Sequence, residues 1–425
     1  MVAHNSIFLG THTGATLAEA VTLDADDRRR HLHIIGKTGT GKSTLLLNLM
    51  LADLADGGGF ALLDPHGDLA QAVIDAVPPE RTNDVIYLDP ADLEFPVAFN
   101  PLFNISPDSR ALVTAHLVAA FKHLWSDFWG PRLEHVLRNS IALLADAPGS
   151  TLLGLPRLLT DETYRTRLLV TCTNPLVQYF WQRELPGWGD GFAAEALSPV
   201  QNKIGALLSP PLLRNIIGQP KSTIDLPVIM NGRKILIANL SKAALGEGPA
   251  HLLGAFLATA FAQAAEARAK IPESERVDFA VVADDFQNFA TDSFALILSE
   301  ARKWRLSLIL AHQFLGQLPV SLRQAVLGNV GSLISFRIGA EDAETIAREL
   351  GIHSPSALTD LPNFTAWAKL IRNGNPTDPI RIDTEAPETI FHGRAEAVIA
   401  RTRARYTRPR AKVEAAINRF LGASV

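Results

Sequence analysis

The sequence predicts an α/β fold: a mostly parallel sheet around a phosphate-binding loop, with an all-α domain inserted into it. Three observations carry that prediction. Gly36-Lys37-Thr38-Gly39-Thr40-Gly41-Lys42-Ser43 is a complete Gly-x4-Gly-Lys-Ser set between an apolar strand and a helix with apolar residues at helical spacing. Strand and helix patterns alternate before and after a long interval, which implies parallel pairing of the strands. Within that interval, residues 104–225, only helical periodicity is found.

Each element follows from local pattern. Residues 1–30 alternate short apolar runs with turn residues and read as a strand pair. HLHIIG is the strand before the glycine-rich loop, and TGTGKSTLLLNLMLADLA supplies the helix after it. GGGFALLDPHGDLAQAVIDAV repeats the unit, with a strand at 60–63 and a helix after Gly67, and DVIYLDP adds a strand ending at Asp89. ALVTAHLVAAFKHLW, RLEHVLRNSIALLAD, PLVQYFWQREL and PVQNKIGALL are the helical segments of the insertion. Alternation resumes with the strand KILIANL, a helix at 251–269, the strand FAVVADD, a helix near 294–304, then the strands LSLILAHQ and SLISFRI. AWAKLIR and IRID flank the polar NGNPTDP as a hairpin, and PETIFHGRAEAVIARTRARY and AKVEAAINRFLG read as closing helices. The expected division is a strand pair (1–30), a discontinuous nucleotide-binding domain (31–103 and 226–383), an all-helical insertion (104–225) and basic C-terminal helices (384–425).

Composition narrows the function classes. Over 425 residues, 47% are apolar and 20% charged, which suits a globular chain with a sizeable core. Formal charge is 40 − 44 = −4, so bulk charge does not make this a nucleic-acid wrapper, and any DNA contact must be local. A single cysteine, Cys172, excludes an intramolecular disulfide and any Cys-clustered zinc or iron–sulfur site, and fits a reducing cytoplasm. No run reaches 18 uninterrupted apolar residues, and the N-terminal residues lack the pattern of an export signal, so no direct membrane insertion is expected.

The motif implies phosphate chemistry. Glycines at 36, 39 and 41 let successive backbone N–H groups turn toward phosphate oxygens, and the helix N-terminus adds positive potential. Gly36, Thr38, Gly39, Thr40, Gly41, Lys42, Ser43 and Thr44 are the expected nucleotide-binding residues. Lys42 is placed to reach the β- and γ-phosphates of ATP, and Ser43 to ligate Mg²⁺. Carboxylates at the end of another strand are then required, and Asp284-Asp285 closes the apolar run FAVVA, with Asp284 for the magnesium shell and Asp285 for the attacking water. LLDPHGD offers a second strand end, Asp64, with His66 beside it; it ranks lower because it follows Lys42 by only about twenty residues. Both could line the site, meet another subunit or simply pack a loop. Gln313 ends LSLILAHQ and can sense the γ-phosphate. Arg302, in EARKWR, can reach a neighbour's nucleotide or complement its own helix dipole.

RRRHLHIIGKTGTGKSTLLLNLM, LLDPHGDL, WGPRLEHVLRNSI, LRNIIGQ, DDFQNFATDSFALILSEARKW, LILAHQF and GNVGSLISFRIGAEDAETIAREL resemble the HerA/FtsK superfamily of ring-forming DNA-pumping ATPases. Within it, the sequence is similar to the TraG/TraD-type conjugative coupling proteins of type IV secretion, over residues 31–350. The resemblance implies a RecA-like core with an all-α insertion, a homo-hexameric ring with ATP and Mg²⁺ at subunit interfaces, and DNA in the channel. It also implies a secretion-channel or relaxosome-type partner. By the same resemblance Lys42, Ser43, Asp284, Asp285 and Gln313 take the roles given above, and Arg302 matches the arginine that acts in trans. Two departures stand out. The family pattern is Asp-Glu where this sequence has Asp284-Asp285, one methylene shorter, so slow turnover is expected. Membrane-anchored coupling proteins carry N-terminal transmembrane helices that this sequence does not show, so a soluble relative, or one recruited by a membrane partner, is expected.

Outside the motifs, Arg394, Arg401, Arg403, Arg405, Arg408, Arg410, Lys412 and Arg419 against Glu396 and Glu414 give a local 8 − 2 = +6. Phosphate binding, a solvated helix face and contact with an acidic neighbour all suit such a run. Trp125, Trp129, Trp181 and Trp188 read as core in preference to base-stacking platforms. Lys203 and Arg214 are candidates for channel or subunit contacts, Arg214 as a second arginine finger. Two other functions compete: a P-loop kinase, disfavoured by the absence of an Arg-rich lid pattern, and a nucleotide-gated scaffold with little turnover, motivated by Asp285.

Overall fold

The computed structural model describes residues 6–12, 18–387 and 391–422, so the start of the helix expected from PETIF lies partly outside the described residues. Secondary-structure elements fall into two units, one of residues 1–88, 226–241 and 264–402, the other of residues 89–225, 242–263 and 403–425.

The first unit is built on one eleven-stranded sheet. Its strands are β1 (Ser6–His12), β2 (Glu19–Asp24), β3 (Leu32–Ile35), β4 (Gly59–Asp64), β5 (Val85–Leu88), β6 (Ile235–Asn239), β7 (Phe279–Ala283), β8 (Leu306–His312), β9 (Ser332–Ser335) and β10 (Thr365–Lys369), with β13 (Ile380–Asp383); β11 (Ile371–Arg372) and β12 (Asn375–Pro376) pair separately within the polar loop. The order is β2-β1-β13-β10-β9-β3-β8-β7-β4-β6-β5. From β9 to β5 all neighbours are parallel, and β10, β13, β1 and β2 extend that sheet antiparallel. β3, β4, β7 and β8 are buried along their whole length, as helix-covered parallel strands must be, and their unbroken apolar runs reflect it. The helix Lys42–Asp56 presses Leu45, Leu46, Leu49 and Met50 into this core. Four strands therefore end side by side, and open parallel sheets bind ligands beyond such carboxyl ends.

The second unit is helical, with Arg110–Leu124, Pro131–Asp146, Glu162–Leu169, Pro175–Tyr179 and Asp190–Leu208 among its elements. Asp161 and Asn174 cap their helices by accepting the N–H of Tyr164 at 2.9 Å and of Leu176 at 3.0 Å. Trp181 is buried and donates its indole N–H to the Asn139 carbonyl, Trp125 stacks on Phe121, Trp129 donates to Glu134, and Trp188 meets Phe180 edge-on.

The boundaries differ from the sequence expectation in several places, with residues 242–263 in the helical unit and residues 384–402 in the sheet unit. The strand pair is not separate: β1 hydrogen-bonds to β13 and becomes the sheet's antiparallel margin. The sheet unit stops at Leu88, since 89–103 join the helical unit. Residues 403–425 also belong to the helical unit, where Arg403 pairs with Asp92 at 2.7 Å and Glu414 accepts from Asn215 at 3.2 Å. Pairing between distant segments decides these boundaries, and local periodicity carries no trace of it.

Candidate functional site

The carboxyl ends of β3, β4, β7 and β8 open into a cleft of about 700 Å³. The loop from β3 to the helix Lys42–Asp56 forms one wall. Its turn needs Gly41 at φ 119°, where a Cβ would stand 3.0 Å from the Phe336 ring. Thr40 is wholly buried and braces the loop, donating its hydroxyl to the Lys37 carbonyl at 2.7 Å while its own carbonyl accepts the Phe364 N–H at 2.8 Å. Thr38, Gly39, Gly41, Lys42, Ser43 and Thr44 line the cleft. Gly36, at the loop's start, donates its N–H to the His312 carbonyl at 3.2 Å and is not among the lining residues.

The polar side chains converge across strands distant in sequence. Ser43 donates its hydroxyl to Asp284 Oδ2 at 3.0 Å. Asp284 also accepts the Asp285 N–H at 3.0 Å. Gln313 places its amide nitrogen 3.3 Å from Asp285 Oδ2. Asp285 adopts a left-handed backbone (φ 42°, ψ 51°), a conformation that costs a non-glycine residue about 1 kcal/mol or more. Asn288 holds it there, donating both its backbone N–H and its side-chain amide to the Asp285 carbonyl. Lys42 rests its ammonium on the Lys37 carbonyl at 3.1 Å.

Electrostatics marks this cluster as unbalanced. Burial pushes the Asp284 carboxyl up to about 6, and the neighbouring Asp285 charge pushes the same way, against the Ser43 hydrogen bond. Burial lowers Lys42, opposed by the attraction of Asp284 and Asp285. Two adjacent carboxylates and one partly desolvated ammonium form a site that gains from both an added anion and an added cation.

Beneath the cleft, His33 and His312 meet through their Nε2 atoms at 2.7 Å with ring planes 10° from parallel, and burial lowers both, His312 to about 4. The Phe314 carbonyl accepts from His312 Nδ1, so His33 supplies the Nε2–H of the pair.

Asp64 lines the cleft and is also tied to its own turn. Its two oxygens accept the N–H groups of His66 (2.9 Å) and Ala70 (2.8 Å), which fixes the turn after β4. His66 stands on that turn, lines the cleft and donates Nε2–H to Asp285 Oδ2 at 2.8 Å, a contact across 219 positions that no local pattern signals. Phe364 adds an exposed apolar wall, also unsignalled in sequence.

Arg302 is exposed at the amino end of β8, with roughly 20 Å of strand between it and Gln313, so the structure does not bring it to this cleft. In the helical unit, Lys203 sits over the rings of Trp125 and Phe128, and Arg214 donates to the Ser209 carbonyl. In the C-terminal run, Arg410 pairs with Glu414 and Glu94, so part of that positive charge is neutralised within its own unit.

Residues 7–116 match the family described as the central domain of the helicase HerA. Among solved structures, the bacterial conjugative coupling protein TrwBdeltaN70 is similar at TM-score 0.65 and 17% identity, over 88% of this chain and 90% of that one. The plasmid coupling protein TrwB in complex with ADP and Mg²⁺ is similar at TM-score 0.65 and 18% identity, over 88% and 89%. VirB4 of Thermoanaerobacter pseudethanolicus is similar at TM-score 0.59 and 14% identity, over 91% and 97%. No curated protein sequence matches significantly. Residues 7–116 thus resemble the HerA central domain, and the fold, a RecA-like parallel sheet around a phosphate-binding loop, is the one seen in the coupling protein TrwB and in VirB4.

Proposed function

We propose that this chain is a magnesium-dependent ATPase in which hydrolysis at the interfaces of a homo-hexameric ring moves DNA. The observation that carries the reading is the convergence of Lys42, the Ser43–Asp284 pair and the Asp285–Gln313 pair on one cleft at the carboxyl ends of parallel strands. Similar folds are known in complex with GDPNP, ADPNP, and ADP with Mg²⁺.

The residues fit a bound magnesium ion. Among the described residues no group of three His, Cys, Asp or Glu side chains could hold a metal, and magnesium is commonly held by one or two carboxylates with phosphate and water completing its shell. Ser43 and Asp284 would hold it, and Asp284, which burial and Asp285 make reluctant to ionise, is relieved by a cation. When bound, the ion neutralises charge on the phosphate oxygens. Backbone N–H groups of residues 38–44 cradle the phosphates, Lys42 exchanges the Lys37 carbonyl for the β- and γ-phosphates, and Asp285 orients the attacking water. Arg302 serves the nucleotide of another copy, since its own cleft is out of reach.

A secretion-channel or relaxosome-type partner fits the same likeness, and among the described residues no helix is long and apolar enough to cross a membrane. The competing reading, a nucleotide-gated scaffold, rests on the aspartate at 285 and predicts tight ATP binding with negligible turnover. The test is the ATP hydrolysis rate without DNA and with single- or double-stranded DNA, for the wild type, Lys42→Ala, Arg302→Ala and a mixture of the two variants. DNA stimulation lost in each variant and partly restored in the mixture is the expected result, because a mixed ring pairs an intact loop with an intact arginine. A rate indifferent to DNA overturns the motor.

A further inference from the structure

We infer that His66 is the positioning residue for Asp285; this rests on the ATPase reading above. The turn bearing His66 is built for presentation. Asp64, wholly buried, spends both carboxylate oxygens on the backbone of that turn, at His66 and Ala70. Gly67 follows at φ 93°, where a Cβ would lie 2.9 Å from the Asn239 side chain, so the chain can reverse only with glycine there. Such rigid support usually serves to bury a side chain. Here the ring it holds up is 53% exposed, and its one hydrogen-bond partner among the described residues is Asp285.

The contact has a chemical use. A carboxylate that must orient water needs one fixed rotamer. His66 Nε2–H donates to Oδ2 at 2.8 Å, and the Gln313 amide stands 3.3 Å from the same oxygen. The Gln313 amide also stands 3.5 Å from Oδ1, so His66 and Gln313 together restrain the carboxylate, with the strained backbone at Asp285 held by Asn288. His66 thus acts through Asp285, and its loss should slow the chemical step without weakening nucleotide binding.

The experiment is steady-state ATP hydrolysis and equilibrium binding of a fluorescent ATP analogue for the wild type, His66→Ala, His66→Gln, Asp285→Asn and the double variant His66→Ala/Asp285→Asn. Losing a hydrogen bond to a charged group should lower kcat about 10- to 100-fold in His66→Ala, with KM and analogue affinity within about twofold of wild type. Gln, which keeps a donor at similar reach, should recover most of the rate. The double variant should be no slower than Asp285→Asn alone. A wild-type rate in His66→Ala, a Gln variant as slow as Ala, or additive losses in the double variant overturns the assignment and leaves the ATPase reading standing. A wild type that binds the analogue and never hydrolyses ATP overturns the ATPase reading and this assignment with it.

Discussion

The two rims of the parallel sheet both carry buried charge, and they differ in how that charge is answered. At the amino ends of the strands, Arg28 meets Asp53 through two hydrogen bonds of 2.7 and 2.6 Å, and Arg29 meets Asp278 through two of 2.5 and 2.7 Å. Arg268, almost fully buried, donates to Asn231 and to the carbonyls of Val277 and Trp304. At the carboxyl ends, Asp284 and Asp285 stand side by side and Lys42 has only a loop carbonyl. At the amino rim carboxylates and several carbonyl oxygens answer the arginines and make structure, and at the other rim two adjacent carboxylates make a site that a ligand must complete.

That contrast can be broken from either end. The largest effect is expected at the carboxyl rim: Lys42→Ala should lower ATP turnover by about 10³- to 10⁵-fold while circular dichroism and melting temperature stay close to wild type. At the amino rim the consequence is reversed. Arg28→Ala leaves Asp53 buried without its cation and should cost about 3–5 kcal/mol in denaturant unfolding, with residual folded protein still binding ATP.

Asp284 sharpens the contrast through pH. Its carboxyl titrates near 6 in the folded chain against an ordinary value of 3.8, so the folded state binds a proton more tightly than the unfolded state between these values. Stability from this group therefore falls as pH rises from about 4 to about 6 and is flat above. Asp284→Asn should remove that loss, raising unfolding stability by up to about 3 kcal/mol at pH 8 and little at pH 4, while abolishing turnover. The smallest change is expected at a surface pair of the helical unit. Arg403→Ala breaks a half-exposed pair with Asp92 and should cost under about 1 kcal/mol in the same unfolding assay.

The phosphate loop, Asp284-Asp285 and Gln313 were legible in sequence because each lies at the end of an unbroken apolar strand, where a polar residue has few other reasons to be. The parallel core was legible for the same reason. The antiparallel margin was legible as two separate hairpins, β1–β2 and β10–β13, and their joining through β1 and β13 was not, since it pairs residues 11–12 with residues 382–383. His66 and Asp64 were visible as a strand end, yet their division of labour was not: Asp64 turns to the backbone and His66 to Asp285, a distinction set by which strands become neighbours. Arg302 shows the converse, a residue that the motif singles out and that its own cleft does not receive.

The most direct measurement pairs two readings on one sample of Asp285→Asn: magnesium-dependent ATP hydrolysis and melting temperature. The predicted result is a rate at least about a hundredfold below wild type with the melting temperature unchanged or raised, because the carboxylate serves the reaction and burdens the fold. A rate within twofold of wild type, or a rate lost together with the fold, would contradict a hydrolytic site at this rim.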